Sequence, residues 1–269
     1  MTTVADILKY IETLAPTYMK MDWDNVGLLC GSRETSVTKV LVALDPFEGV
    51  CREAAEWGAE LIVTHHPIIF DPLKSVTEET TVGRSIMTLC RHGISAVNAH
   101  TNLDCAPGGV NDVLADTLGL KDVETIPPFF RDDQGRQWGL LRRGRVEEQS
   151  LSQFLETVRS SLNAEGLRYV DGGKPVRLVA VGGGSCSDEL MSAFEAGCDT
   201  FVTADIKYND FWDAQALGMN LIDAGHFATE NPVVAVLAEK IAAAFPEVQV
   251  KISETHRDCM KFRSRQLHE

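Results

Sequence analysis

Short apolar runs alternate with longer amphipathic stretches along most of the chain. Residues 61–64 form an apolar, β-branched run whose length and composition predict a buried strand. Similar runs occupy residues 37–44 and 94–99, and stretches with helical spacing at 48–57 and 82–91 separate the three runs. This alternation predicts an α/β fold in which helices cover mostly parallel strands.

The same alternation of apolar runs and amphipathic stretches returns in the second part of the chain, after it is interrupted by Ile-Pro-Pro at residues 126–128. Three segments resemble three later ones in the same order: 40–44 and 177–181, 58–64 and 197–203, 93–99 and 218–224. Because the three matches occur in the same order and each falls on a predicted strand, we interpret them together as an internal repeat. We predict two related α/β halves, 1–128 and 129–269, facing each other across a cleft. A strand near 248–252 could return to the first half.

Side chains of the kind that bind metals follow the predicted strands at their carboxyl ends, where α/β sheets collect their ligands. They are His65 and His66, His100 and Asp104, Asp205, and His226 and Glu230. Imidazole and carboxylate together form the usual ligand set for zinc, iron or manganese. Five or more ligands exceed what one tetrahedral ion needs, so the pattern predicts two neighbouring ions.

Two local features keep alternatives open. Adjacent side chains on an extended chain point to opposite faces, so His65 and His66 serve one site only if the chain turns there or two ions lie side by side. The pair Asp24 and Asn25 is typical of a turn, which we favour, although it could also place polar groups at the rim of a site.

Other histidines carry no such pattern. A single histidine at a strand end is more often structural or merely exposed. We interpret His92, His256 and His268 in that way.

Composition limits the classes of function. The formal net charge of −14 argues against duplex nucleic acid as a partner, because phosphate binding needs a basic surface. Seven cysteines lie far apart without a Cys-x-x-Cys pair, which favours free thiols in a reducing, cytoplasmic setting. No apolar run is long enough to span a membrane, and residues 1–14 have the spacing of an amphipathic helix rather than the composition of a signal peptide.

Residues 129–146 have a different texture and predict hairpin strands with a turn at Asp133-Gln134-Gly135. Five arginines lie in this region: Arg131, Arg136, Arg142, Arg143 and Arg145. A basic surface of this kind would favour nucleic acid, which the overall charge makes the less expected partner.

Four motifs carry a family resemblance together. They are Trp-Asp-Asn-Val-Gly-Leu at 23–28, Thr-His-His-Pro at 64–67, Asn-Ala-His-Thr-Asn-Leu-Asp at 98–104 and Gly-His-Phe-Ala-Thr-Glu at 225–230. Their combination resembles the Nif-three-like family, whose bacterial members are often labelled GTP cyclohydrolase 1 type 2 homologs. The resemblance covers nearly the whole chain. It implies two α/β domains, a dinuclear metal centre between them and a homo-oligomer in the form of a hexameric ring.

The resemblance also implies the ligands: His65, His66, Asp104, His226 and Glu230, holding two divalent transition-metal ions. His100 matches a motif position that is not counted among the family's ligands, whereas the internal repeat would make it one. We follow the resemblance, and we expect His100 to have a catalytic role in proton transfer or to support a ligand.

The implied function is metal-dependent hydrolysis of a nucleotide such as GTP, since some members are assigned the opening of its purine ring. Both hydrolytic steps of that reaction need a nucleophile and a Lewis acid, which a metal ion with its water supplies near neutral pH. The alternative is a non-enzymatic metal-binding ring that acts as a scaffold, a regulator or a nucleic-acid-associated protein.

Overall fold

The computed structural model describes residues 1–131, 133, 135 and 137–263, which fall into two compact units. The first unit contains the described residues of 1–113, 128–140 and 230–256. The second contains those of 114–127, 141–229 and 257–263. Both units are discontinuous in sequence, and the boundary at residue 128 stays a prediction about which stretch folds alone.

Helices and strands alternate along the chain as the apolar pattern indicates. The α-helices are α1 (Val4–Leu14), α2 (Glu48–Trp57), α3 (Thr81–His92), α4 (Thr101–Cys105), α5 (Val110–Thr117), α6 (Leu151–Ser161), α7 (Leu190–Glu195), α8 (Tyr208–Leu217), α9 (His226–Glu230) and α10 (Pro232–Ala244). The strands are β1 (Gly27–Cys30), β2 (Lys39–Ala43), β3 (Leu61–Thr64), β4 (Ser95–Asn98), β5 (Lys121–Thr125), β6 (Phe130–Arg131), β7 (Gln137–Trp138), β8 (Arg142–Gln149), β9 (Arg168–Val170), β10 (Val176–Val181), β11 (Thr200–Thr203), β12 (Asn220–Asp223) and β13 (Gln249–Ile252).

The sheet of the first unit has the order β1-β4-β3-β2-β13, and its strand pairs are parallel except β1 with β4. Strand β3 lies at the centre, and all four of its residues are buried. The last strand, β13, returns to this sheet and places Val250 opposite Val40. The carboxyl ends of β13, β2, β3 and β4 therefore meet at one edge of the sheet.

Helices α2 and α3 complete the core of the first unit, where Val50 and Ala54 of α2 and Leu89 of α3 are buried together. Helix α2 ends at Gly58, whose φ of 72° is left-handed. Glycine adopts that conformation without a Cβ clash, so the chain can turn sharply into β3. At the start of α3 the Thr80 hydroxyl accepts a hydrogen bond from the Gly83 N–H at 3.0 Å.

The sheet of the second unit has the order β5-β8-β10-β11-β12-β9. Its centre, β10-β11-β12, is parallel, but β8 and β9 pair antiparallel with β10 and β12. The two sheets are thus mixed, and the expectation of mostly parallel sheets is wrong for this one. Buried and exposed residues alternate through much of β8, a pattern that suits antiparallel strands with one solvated face.

The hairpin expected at 129–146 is shorter than predicted. Strands β6 and β7 pair antiparallel in the first unit, with Phe130 opposite Trp138, while β8 joins the sheet of the second unit. Gln134 of the predicted turn, Arg136 of the arginine group and His268 lie outside the described residues.

Two expectations from composition can be compared with the structure. Across the described part of the chain, no helix combines the length and the apolar character that crossing a membrane requires. The seven cysteines are free thiols, of which Cys51, Cys105, Cys186 and Cys198 are buried.

Candidate metal centre

The candidate centre of the first unit lies where β3 and β4 end. These neighbouring strands are in register, with Thr64 opposite Asn98, so the residues that follow them share one edge of the sheet. His65 and His66 follow β3, His100 lies just before α4, and Asp104 lies within α4. Glu230, the last residue of α9, completes the group.

The chain turns directly after β3, so the condition for both histidines to serve one site is met. The Thr64 hydroxyl donates a hydrogen bond to the His66 carbonyl at 2.7 Å, and the His66 N–H donates to the Leu44 carbonyl at 2.9 Å. As a result the rings of His65 and His66 lie on the same side, with centroids 4.9 Å apart. Both imidazoles can therefore serve a single site.

His65 is fully buried, and its ring has one possible neutral tautomer here. Its Nδ1 lies 2.9 Å from the Ala99 carbonyl oxygen, which can only accept, so Nδ1 carries the proton. Its Nε2 faces Asp104 Oδ1 at 3.5 Å and Glu230 Oε1 at 3.7 Å. Among the described residues, neither this Nε2 nor Asp104 Oδ1 has a hydrogen-bond partner.

His66 is held between two carboxylates. Its Nδ1 lies 2.7 Å from Asp45 Oδ1, and its Nε2 lies 2.9 Å from Glu230 Oε2. The other oxygen of Asp45 lies 2.7 Å from His256 Nε2. Burial alone would lower the pKa of His66, but the hydrogen bonds with Asp45 and Glu230 outweigh it and raise the pKa to about 10.

His100 is oriented by a different carboxylate. Its Nδ1 lies 2.8 Å from Asp24 Oδ1, while Asp24 Oδ2 accepts hydrogen bonds from the N–H and the hydroxyl of Thr101. Burial alone would raise the pKa of Asp24, but the hydrogen bonds from His100 and Thr101 outweigh it and lower the pKa to about 2. Asp24 thus stays ionised and fixes the His100 ring.

These groups have the geometry of a metal site. His65, Asp104 and Glu230 each offer one ligand atom, and these three atoms lie within 4.8 Å of one another. The same holds for His65, His66 and His100. Burial raises the pKa of Asp104 and Glu230 raises it further, because two buried carboxylates repel each other. A cation would relieve this repulsion and give the unpartnered Nε2 and Oδ1 atoms a partner. The residues present therefore fit a divalent metal ion.

Three residues of this site were not assigned to it from the sequence. Asp24 forms a turn with Met21 as favoured from the sequence, but it is also buried and bonded to His100, so the pair does more than turn the chain. Of the two interpretations of His256, the structural one holds, because its side chain is 7% exposed and contacts Asp45. Asp45 and His256 follow β2 and β13, two strands that end at the same sheet edge as β3, and that is the signal that could have found them.

His226 and Asp205 lie in the second unit. The Nδ1 of His226 is 2.6 Å from Asp205 Oδ2, and His226 is the first residue of α9. Asp205, the second residue after β11, has a left-handed φ of 52°. The role of His226 as a metal ligand stays a prediction.

Comparisons with known proteins agree with the family resemblance. Residues 2–259 match the model of the family described as Duf34/NIF3 (NGG1p interacting factor 3). A Clostridium perfringens protein named GTP cyclohydrolase 1 type 2 homolog is 36% identical over 262 residues, covering 96% of this chain and 98% of that protein.

Solved structures with the same fold include a Bacillus cereus protein related to NIF3. It has a TM-score of 0.89 and 26% identity, and the match covers 98% of this chain and 99% of that one. The Staphylococcus aureus hypothetical protein SA1388 has a TM-score of 0.88 and 29% identity, with 97% and 99% covered.

Proposed function

The chain belongs to the Duf34/NIF3 family, and from that premise we propose that it is a metal-dependent hydrolase acting on a nucleotide such as GTP. The proposed ligands in the first unit are His65, His66, Asp104 and Glu230. The observation that carries the proposal is the facing pair His65 Nε2 and Asp104 Oδ1, which are buried 3.5 Å apart and have no hydrogen-bond partner in the part of the chain that the structure describes. An imidazole and a carboxylate placed in this way are ready to share a cation.

The surrounding residues would keep these ligands in their binding form. The Ala99 carbonyl fixes the proton of His65 on Nδ1 and so leaves Nε2 to bind a metal. Asp45 likewise orients the His66 ring through Nδ1, and His256 in turn holds Asp45. When bound, a divalent transition-metal ion supplies Lewis acidity for hydrolysis.

His100 is the proposed proton-transfer residue. Its ring centroid lies 5.2 Å from that of His65 and 5.4 Å from that of His66. Because Asp24 holds Nδ1, only Nε2 can exchange a proton with a substrate on the open side of the cluster. Asp24 also stabilises the protonated ring after it has accepted a proton.

The substrate class comes from the relatives. Curated relatives carry the name GTP cyclohydrolase 1 type 2 homolog, and we extend that reaction class to this chain. Opening the imidazole part of guanine takes two additions of water, of which the second releases formate. Each step needs proton transfer at nitrogen, which suits a histidine held like His100.

Metal analysis and turnover test this proposal on the same preparation. Protein purified without chelator should contain zinc, iron or manganese and release formate from GTP, whereas Asp104→Ala should lose both properties. His92→Ala is the control, because His92 is an exposed histidine at the end of α3.

Two results would contradict the proposal. Full metal content in Asp104→Ala would refute the ligand assignment. If the metal-loaded wild-type protein hydrolyses no nucleotide, the hydrolase proposal is refuted, and a role as a non-enzymatic scaffold or regulator is favoured.

A further inference from the structure

Two exposed aromatic rings border the candidate centre on the side of His100. Trp23 is 63% exposed and Phe70 is 52% exposed, although both are large apolar side chains. Their ring centroids lie 5.7 Å apart, and each lies 6.2 Å from the centroid of His100. The three rings therefore form one continuous aromatic group, of which His100 is the inner member and the other two form the rim.

The backbone that carries these rings is tied down on both sides. Asp24, next to Trp23, is buried and bonded to His100 and Thr101. The Asn25 side-chain amide donates to the carbonyl of Ile69, the residue before Phe70, at 2.7 Å. The rings are thus presented on fixed backbone, and a large aromatic face held open to solvent in this way is typical of a binding surface.

The chemistry around the rings selects one kind of occupant. Exposed carboxylates lie immediately beside them in sequence, Asp22 before Trp23 and Asp71 after Phe70. Lys20 Nζ, which donates to the Met21 carbonyl at 3.1 Å, adds one positive charge to the same segment. The two ring faces themselves carry no charge that would pair with a phosphate, so a neutral planar ring is their better partner. An indole face stacks on any flat heterocycle, because every such ring has a π face.

We propose that Trp23, supported by Phe70, is the stacking platform for the heterocyclic ring of the substrate, which it holds next to His100. This inference rests on the proposed function, since it states which end of the nucleotide lies at the site. The base would face the proton-transfer histidine, and the phosphates would extend away from Asp22 and Asp71.

Two tryptophan variants make a matched test. Of the four tryptophans, Trp23 and Trp212 are the exposed ones, and Trp212 also has an aromatic neighbour, Tyr208, at 6.4 Å. Guanosine and ribose 5-phosphate should be titrated by calorimetry into metal-loaded wild type, Trp23→Leu and Trp212→Leu. Trp23→Leu should weaken guanosine binding roughly tenfold, as expected for loss of one stacking contact. Trp212→Leu should bind like the wild type.

Three results would overturn the platform. They are equal guanosine affinity in Trp23→Leu and Trp212→Leu, no guanosine binding by the wild type, and ribose 5-phosphate binding that is as tight as guanosine binding. If Phe70 only supports Trp23, Phe70→Leu should reduce guanosine affinity by less than Trp23→Leu does.

The same variants separate this inference from the proposed function. Trp23→Leu should keep the metal content of the wild type, because Trp23 offers no ligand atom. Guanosine binding that depends on Trp23, in a metal-loaded protein that does not hydrolyse GTP or any other nucleotide, would refute the hydrolase and leave the platform. GTP hydrolysis with an unchanged KM in Trp23→Leu would refute the platform and leave the hydrolase.

Discussion

The two units place different chemistry on a similar arrangement of strands. Each contains three consecutive parallel strands side by side, β2-β3-β4 in the first and β10-β11-β12 in the second. In the first unit the strand ends lead to histidines and buried carboxylates that face one another. In the second, the ends of β10 and β11 are joined by neutral hydrogen bonds, among them the Thr203 hydroxyl to the Gly184 carbonyl at 3.0 Å.

The contrast teaches that the strand arrangement does not decide the chemistry; the side chains at the strand ends do. His65 and His66 follow β3, whereas Ala204 and Asp205 follow β11. A common ancestor for the two halves stays a prediction, as do the hexameric ring and the cytoplasmic location.

The largest expected effect comes from the buried acids of the first unit. The double variant Asp104→Ala with Glu230→Ala should lose nearly all bound metal, because it removes the carboxylates that face His65 and His66. Asp188→Ala with Asp213→Ala makes the same change in charge at exposed positions of the second unit and should keep the metal. Elemental analysis of both preparations measures this. Equal metal content in the two double variants would contradict the view that only the first unit's acids bind metal.

The next effect is the pH dependence of metal affinity. The raised pKa of His66, about 10, means that the metal-free site keeps this proton well above neutral pH, so a metal must displace it. Apparent affinity should rise by at least about tenfold for each pH unit between about pH 6 and about pH 9, because the pKa of His65, which burial alone would lower, is also raised by Asp104 and Glu230. Competition with a chromophoric chelator measures it. An affinity that levels off near neutral pH would mean that His66 has an ordinary imidazole pKa.

The residues that hold His66 should have a smaller effect. Asp45→Asn and His256→Ala leave the predicted ligands in place but remove the support of the His66 ring, so metal affinity should fall roughly 10- to 100-fold. His92→Ala should leave it unchanged. If His256→Ala binds metal like the control, the contact with Asp45 serves only the packing of the C-terminal segment.

The smallest expected effect comes from the two threonines that end β3 and β11. Thr64→Val and Thr203→Val each remove one buried hydroxyl at the end of a central strand, and each should cost about 1 kcal/mol in the free energy of unfolding. Only Thr64 shapes the turn that carries His66, so only Thr64→Val should also weaken metal binding. Thermal melts and metal titration of both variants test this. Weaker metal binding in Thr203→Val would show that the second strand end also supports the site.

Much of the site could be predicted from the sequence because it follows the ends of neighbouring strands. The strand at 61–64 and the helix at 48–57 were predicted with the bounds that the structure has, and His65, His66 and Asp104 lie together as the strand-end rule requires. The return of a strand near 248–252 to the first half was expected, but its partner strand was not. The contact between Asp45 and His256 depends on β13 pairing with β2, about 200 positions earlier, which the sequence does not specify.

The role of Asp24 was hidden for another reason. An Asp-Asn pair looks the same in a surface turn and beneath a histidine, and only tertiary contacts distinguish the two. The sheet of the second unit was misjudged because strand direction at a sheet edge is set by how the chain connects, which local periodicity does not encode.

The late position of Glu230 and His256 in the chain has a consequence for biosynthesis. A ribosome makes His65, His66 and Asp104 well before it adds the acid that faces them, the strand that pairs with β2 and the histidine that holds Asp45. Until then a nascent chain exposes β2 as an unpaired edge and offers a metal an incomplete ligand set. Metal loading should therefore wait until these later residues have been made, and a chain interrupted before Glu230 should be a poor competitor for scarce cellular metal.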